Sequence, residues 1–262
     1  MLVDYVSRGQ EEQVRTRTLL RRLVLFGVPL ILGILEIFHP VVGMSGIVAT
    51  LSPQVTWWLT LHLLQLPLFG LLAVAVLLLT ADLHGWAATI SRIGVWFFVV
   101  FYLAGDVIAG IATGVIIWAA QGVPLSQQAG IEHAVHALFY DSPLVGGTLL
   151  SVNSVLGVLG WVVGVIAAGI ALYRAHRMSW MPLVLLVLAA ILFGYGHNSP
   201  TGPLGMLCFF ATALWIELVP TLQAPGQSVP AAVTAPREGA KDARRATQPA
   251  PGSERGGKEE ER

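Results

Sequence analysis

The chain has 262 residues, 55% of them hydrophobic and only 11% charged, with no net charge. A soluble domain carries about a quarter charged residues, so this composition excludes an ordinary water-soluble globule: long apolar runs leave no room for ions, each of which costs several kcal/mol in hydrocarbon. The single cysteine, Cys208, excludes an intrachain disulfide and any cysteine-built metal cage.

Residues 1–22 are polar and charged and read as a cytoplasmic N-terminal segment. The full apolar span that follows is too long for the short core of a signal peptide, so the first helix is expected to be retained. A membrane-crossing helix needs about 20 apolar residues at 1.5 Å rise each. Six segments meet or approach that length: 23–42, 57–80, 93–120, 149–173, 181–197 and 203–219. The last two are short and are separated only by the turn Asn198-Ser-Pro-Thr-Gly-Pro203, which predicts a tight helical hairpin. Between spans three and four, residues Ser126 to Tyr140 place Ile131, Val135, Leu138 and Phe139 on one helical face and Glu132, His133 and His136 on the other. That pattern predicts a short amphipathic helix on the outer interface. Residues 220–262 are rich in Pro, Ala, Gly and mixed charge and have almost no large apolar residue, the composition of a disordered cytoplasmic tail. The expected fold is therefore all-α: a polytopic membrane protein with a bundle of six transmembrane helices, residues 23–219.

Orientation follows from Lys and Arg, which favour cytoplasmic loops. All fifteen precede span one, follow span six, or lie in the loops after spans two and four (Arg92, Arg174 and Arg177). A six-span chain puts them on one face, with both termini cytoplasmic, in a plasma (inner) membrane. Trp57, Trp58 and Trp118 then fall near the outer interface, and Trp86, Trp180 and Trp215 near the inner one. Small residues recur at close-packing spacing, as Gly110-x-x-x-Gly114 in helix three and Gly160-x-x-x-Gly164-x-x-x-Ala168 in helix four. Pro29 and Pro67 fall inside spans one and two and are expected to kink them.

Ionisable residues inside a membrane are functional candidates because keeping them there is expensive. Glu36 and His39 sit three residues apart near the outer end of helix one. His62 and Gln65 lie in the outer part of helix two, Tyr102 and Asp106 in the middle of helix three, and Asn153 near the start of helix four. His197 ends helix five. Five of the seven histidines fall on the outer side. These eight residues form the expected ligand pocket. Within it, Glu36, His39, His62 and His197 are a candidate metal set: a Glu-x-x-His pair puts two ligands on one helix face, and imidazole with carboxylate suits zinc, iron or manganese. Two histidines on facing helices could instead ligate haem. The scatter of His, Asp and Glu in a polytopic bundle resembles that of membrane zinc hydrolases of the alkaline ceramidase type. Those have seven helices and a paired histidine motif in the last, whereas the sixth span here has no histidine, so their activity is not carried over.

Soluble-enzyme signatures are absent: there is no phosphate-binding glycine loop, no G-x-S-x-G and no C-x-x-C. The reading closest to the residues is an outward-facing pocket for a small ligand or cation, in transport, sensing or an accessory role. The alternatives are a metal-dependent enzyme acting on a lipid or extracytoplasmic substrate, and a haem protein of electron transfer. The lipid bilayer is the expected partner, and nucleic acid is not.

Overall fold

The computed structural model describes residues 2–43, 45–146 and 150–219. The expected tail, 220–262, lies outside them. Among the described residues the protein is all-helical, at 82% helix, with no strand. Seven helical stretches organise it: α1 (Glu12–Ile37), α2 (Ile47–Leu79), α3 (Trp86–Ala119), α4 (Leu125–His136), α5 (Val152–Arg174), α6 (Trp180–Tyr195) and α7 (Thr201–Leu218). Five of them, α1, α2, α3, α5 and α7, are long and apolar enough to cross a membrane, and α6 is a shorter apolar helix.

The elements begin and bend where their chemistry requires. A helix runs over Leu2–Arg22 and continues into the apolar part of α1. Just ahead of Pro29 the helix passes through a wide π-helical turn at Leu23–Gly27. Proline offers no N–H and its ring crowds the carbonyl four residues back, so the ladder widens there. Pro67 is carried inside the α-helical stretch Val55–Leu79. Helix α3 has two π-helical turns, Phe98–Tyr102 and Val107–Ala112, on either side of a short α-helical stretch ending at Asp106.

The six apolar helices close into a ring. Helix α1 packs on α2, α2 on α3, α3 on α5, α5 on α6, α6 on α7, and α7 returns to α1. The α3–α5 seam is the tightest, and glycine makes it so. A Cβ on Gly160 would lie 2.6 Å from the Phe98 amide nitrogen and 2.7 Å from the Gly94 carbonyl oxygen. The small-residue stripe of α5 thus serves packing within the chain. Inside the ring, Leu25, Phe69, Phe98, Trp161, Phe193 and Phe209 form a closed aromatic and aliphatic core, each less than 2% exposed. Outside it, Leu30, Leu64, Trp96, Leu159, Ile191 and Leu207 are 46% to 67% exposed. A contiguous apolar exterior of this kind belongs against lipid rather than water.

The arginines gather at one end of the ring. Arg21 Nε donates to Glu217 Oε1 at 3.0 Å, and its Nη1 donates to the Leu78 carbonyl at 3.1 Å, tying the start of α1 to the ends of α7 and α2. Arg92 Nη2 donates to the carbonyls of Thr80 and Leu83, both at 2.9 Å. Arg177 pairs with Asp82 at 3.7 Å, and Arg174 lies over the Trp86 ring. At the other end, α4 lies against the first turns of α2, where Val135 is fully buried and Ile131 and Phe139 pack on Ile47, Leu51 and Trp58. Its polar side is not simply wet. The Glu132 carboxylate accepts the backbone N–H groups of Ile47 and Val48 at 2.8 and 2.9 Å, capping the first turn of α2.

Candidate metal centre

The end of the ring opposite the arginines brings His39, His62 and His197 together. One ring nitrogen from each lies within 4.8 Å of the others. They come from three separate places: the segment after α1, the second turn of the long stretch of α2, and the turn between α6 and α7.

Local chemistry positions each ring. Helix α1 stops at Ile37, and Phe38 turns the chain (φ −97°, ψ 9°). His39 precedes Pro40, whose ring disfavours helical backbone at the preceding residue. The His39 side chain therefore leaves the line of α1 and lies 9% exposed. Its Nδ1–H donates to the Pro40 carbonyl at 2.9 Å. His62 is 3% exposed, and its Nδ1–H donates to the Trp58 carbonyl one turn back, at 2.7 Å. Gly110 makes room for it, since a Cβ there would overlap the His62 ring. His197 belongs to a turn that folds tightly on itself: the Gly202 N–H donates to the Asn198 carbonyl at 2.9 Å, and a Cβ on Gly202 would overlap the His197 carbonyl. Nδ1 of His197 is 2.8 Å from the Tyr102 hydroxyl.

These contacts decide the protonation of the rings. A carbonyl can only accept, so His39 and His62 carry their hydrogen on Nδ1 and offer Nε2 as a lone pair. Nε2 of His39 faces Nε2 of His197 at 3.3 Å. Two arrangements satisfy that approach. In one, the Tyr102 hydroxyl donates to His197 Nδ1, and His197 Nε2–H donates to His39. In the other, His197 donates from Nδ1 to Tyr102, and a cation takes the place of the proton between the two Nε2 atoms. A tetrahedral zinc with ligand bonds of about 2.0–2.1 Å separates its nitrogens by about 3.3–3.4 Å, which matches. In the second arrangement every histidine uses its other nitrogen on a carbonyl or hydroxyl, the support that orients metal-binding imidazoles.

The other expected pocket residues divide. Asp106 is 7% exposed, with Oδ1 4.0 Å from His62 Nε2 and Oδ2 without a hydrogen-bond partner among the described residues. Tyr102 joins through His197. Glu36 does not join the three histidines. It is fully buried between α1 and α2, where Gln65 Nε2 donates to its Oε1 at 2.6 Å; Glu36 Oε2 and Gln65 Oε1 have no hydrogen-bond partner among the described residues. The Glu-x-x-His geometry assumed a helix through residue 39, and α1 ends before it. Asn153 accepts from the Ser151 hydroxyl at 2.9 Å, and the side chain packs against Gly105 rather than on the histidines.

Trp58 is the residue that sequence patterning left out of the site. Expected near the outer interface, it is buried among protein side chains, 1% exposed. Its indole N–H donates to the Gly110 carbonyl at 2.7 Å, its ring centroid is 4.2 Å from that of His62, and its carbonyl holds the His62 proton. Its position four residues before His62 was the available signal. Tyr140, outside the apolar helices, donates to the Gly43 carbonyl at 3.2 Å and steadies the segment after Pro40; partial burial raises its phenol above the usual range.

A cavity of about 240 Å³ opens beside the cluster and is lined by His39, His62, His197, Tyr102 and Asp106. No protein family, no curated protein and no solved structure matches the chain.

Proposed function

We propose that the chain is a polytopic membrane protein that binds a divalent transition-metal ion, zinc by its ligand chemistry, in an outward-facing pocket built from His39, His62 and His197. The observation that carries this is the 3.3 Å approach of two imidazole Nε2 atoms whose rings are each engaged at Nδ1. Two facing lone pairs repel unless a proton or a cation lies between them. Imidazole ligands suit zinc among the divalent metals, and three protein ligands are the number a zinc site with an open position uses.

In this reading α6 is the fifth of six spans, its modest length covered by its neighbours in the ring. Both termini are cytoplasmic and the histidines face outward across a plasma (inner) membrane. The distribution of arginine supports this, because Arg21, Arg92, Arg174 and Arg177 lie at the end of the bundle away from the histidines. The Arg21–Glu217 pair also joins the first and last helices at that same end, as an even number of crossings requires.

Elemental analysis of the purified protein tests the proposal. One zinc per chain is expected, with loss of stoichiometric metal in His62→Ala and in His197→Ala, while size-exclusion behaviour in detergent is kept. Metal content unchanged by both substitutions overturns the proposal, as does zinc-loaded and dialysed protein that retains no metal. A Soret band in the purified protein would replace it with the haem reading.

A further inference from the structure

We propose that the three-histidine centre is open and water-activating, that Asp106 orients the water, and that the adjoining cavity admits the carbonyl group of an ester or amide carried on an apolar chain. This rests on the metal reading above.

Three protein ligands leave the fourth corner of a tetrahedral ion free, the arrangement of hydrolytic rather than structural zinc. Here that corner has somewhere to face, because all three histidines form part of the wall of the 240 Å³ cavity. Asp106 lines the same cavity but is not one of the three clustered groups. Its Oδ1 is 4.0 Å from His62 Nε2, next to the cluster but outside it. A water held by an ion between the three histidines could donate to it. Its Oδ2 is buried with no partner among the described residues. An unsatisfied buried carboxylate oxygen is costly, and a bound water removes the cost. A carboxylate beside a metal-held water is the arrangement that directs and deprotonates it.

The substrate class follows from the rest of the wall. Phe101, Ala109, Phe139 and Val158 give the wall apolar surface, and Tyr195, which also lines it, is 72% exposed. The cavity has room for a carbonyl group and a short apolar segment, with the remainder of the chain left outside. In the reaction the water oxygen forms a bond to the carbonyl carbon, and its proton passes to Asp106. The bond from that carbon to the leaving oxygen or nitrogen then breaks, and the leaving atom takes the proton from Asp106. The products are a carboxylic acid and an alcohol or amine; nothing is oxidised or reduced. A zinc ion held by His39, His62 and His197 would supply Lewis-acid polarisation of the carbonyl oxygen.

The test uses the full chain in detergent, loaded with cobalt(II) for spectroscopy and with zinc for activity. Acetohydroxamate, which takes the position of the water, is expected to change the visible cobalt spectrum. Asp106→Asn keeps the cobalt but binds acetohydroxamate about tenfold more weakly, as expected for one lost hydrogen bond to a charged group. The zinc protein is expected to hydrolyse 4-nitrophenyl butyrate, with kcat lowered about 100-fold or more in Asp106→Asn and KM little changed. Bound cobalt whose spectrum ignores acetohydroxamate means a closed site and overturns the inference while leaving the metal reading standing. So does absence of hydrolysis by zinc-loaded protein, or hydrolysis indifferent to Asp106→Asn. Failure to bind cobalt or zinc at all overturns the metal reading itself.

Discussion

The two halves of the helix ring solve opposite problems. In the closed half, Phe69, Phe98, Trp161, Phe193 and Phe209 fill the interior, and the glycines of α3 and α5 bring backbone against backbone. In the hollow half, the same ring surrounds a cavity, and the groups lining it include three imidazoles, a phenol and a carboxylate as well as apolar side chains. Apolar side chains gain by eliminating space. Polar groups buried without full hydrogen bonding tolerate space only where a ligand or water satisfies them. The buried atoms without a hydrogen-bond partner among the described residues follow this division in part. Glu36 Oε2, Gln65 Oε1, Asp106 Oδ2 and Asn153 Nδ2 belong to the polar residues of the hollow half, whereas Trp161 Nε1 and Ser91 Oγ do not. The closed half therefore acts as the frame and the hollow half as the site.

Substitutions can break or sharpen that contrast. The largest effect is expected from Gly160→Leu in the frame. Its added carbons meet backbone atoms of Phe98 and Gly94, which cannot swing aside. A loss of about 3 kcal/mol, at the upper end for overpacking, is expected in thermal unfolding followed by circular dichroism. The molecules that remain folded should keep one zinc each; folded protein without zinc would mean that the halves are not separable. Next is Tyr102→Phe, which removes the hydroxyl that orients His197 and leaves the cavity shape intact. Zinc affinity is expected to fall about 10–100-fold, the usual effect of losing a group that supports a metal ligand, with unfolding temperature little changed. Competition with a chromophoric chelator measures it, and unchanged affinity would remove Tyr102 from the site. The smallest effect is expected from Arg21→Ala, whose ion pair with Glu217 is partly exposed. Such pairs contribute about 1 kcal/mol or less, so stability should drop slightly and zinc binding not at all. A larger loss would mean that the clamp between α1 and α7 sustains the ring.

The sequence by itself determined the helical, lipid-facing character of this protein, because the energy of burying charge in hydrocarbon is local and can be read residue by residue. It also determined the separation of arginine from five of the seven histidines, and it singled out His39, His62, Tyr102, Asp106 and His197 among its candidates. What the tertiary structure decided was which of these meet. Glu36 drops out because Pro40 ends the helical geometry that would have paired it with His39, and a helix end is set by a few dihedral angles rather than by composition. Trp58 enters because the α2–α3 contact at Gly110 turns it inward, against the preference of an interfacial tryptophan for the boundary. His39 and His197 meet because α7 closes the ring on α1, a contact across more than 150 residues of chain. No local periodicity encodes that closure; it arises only when the helices pack.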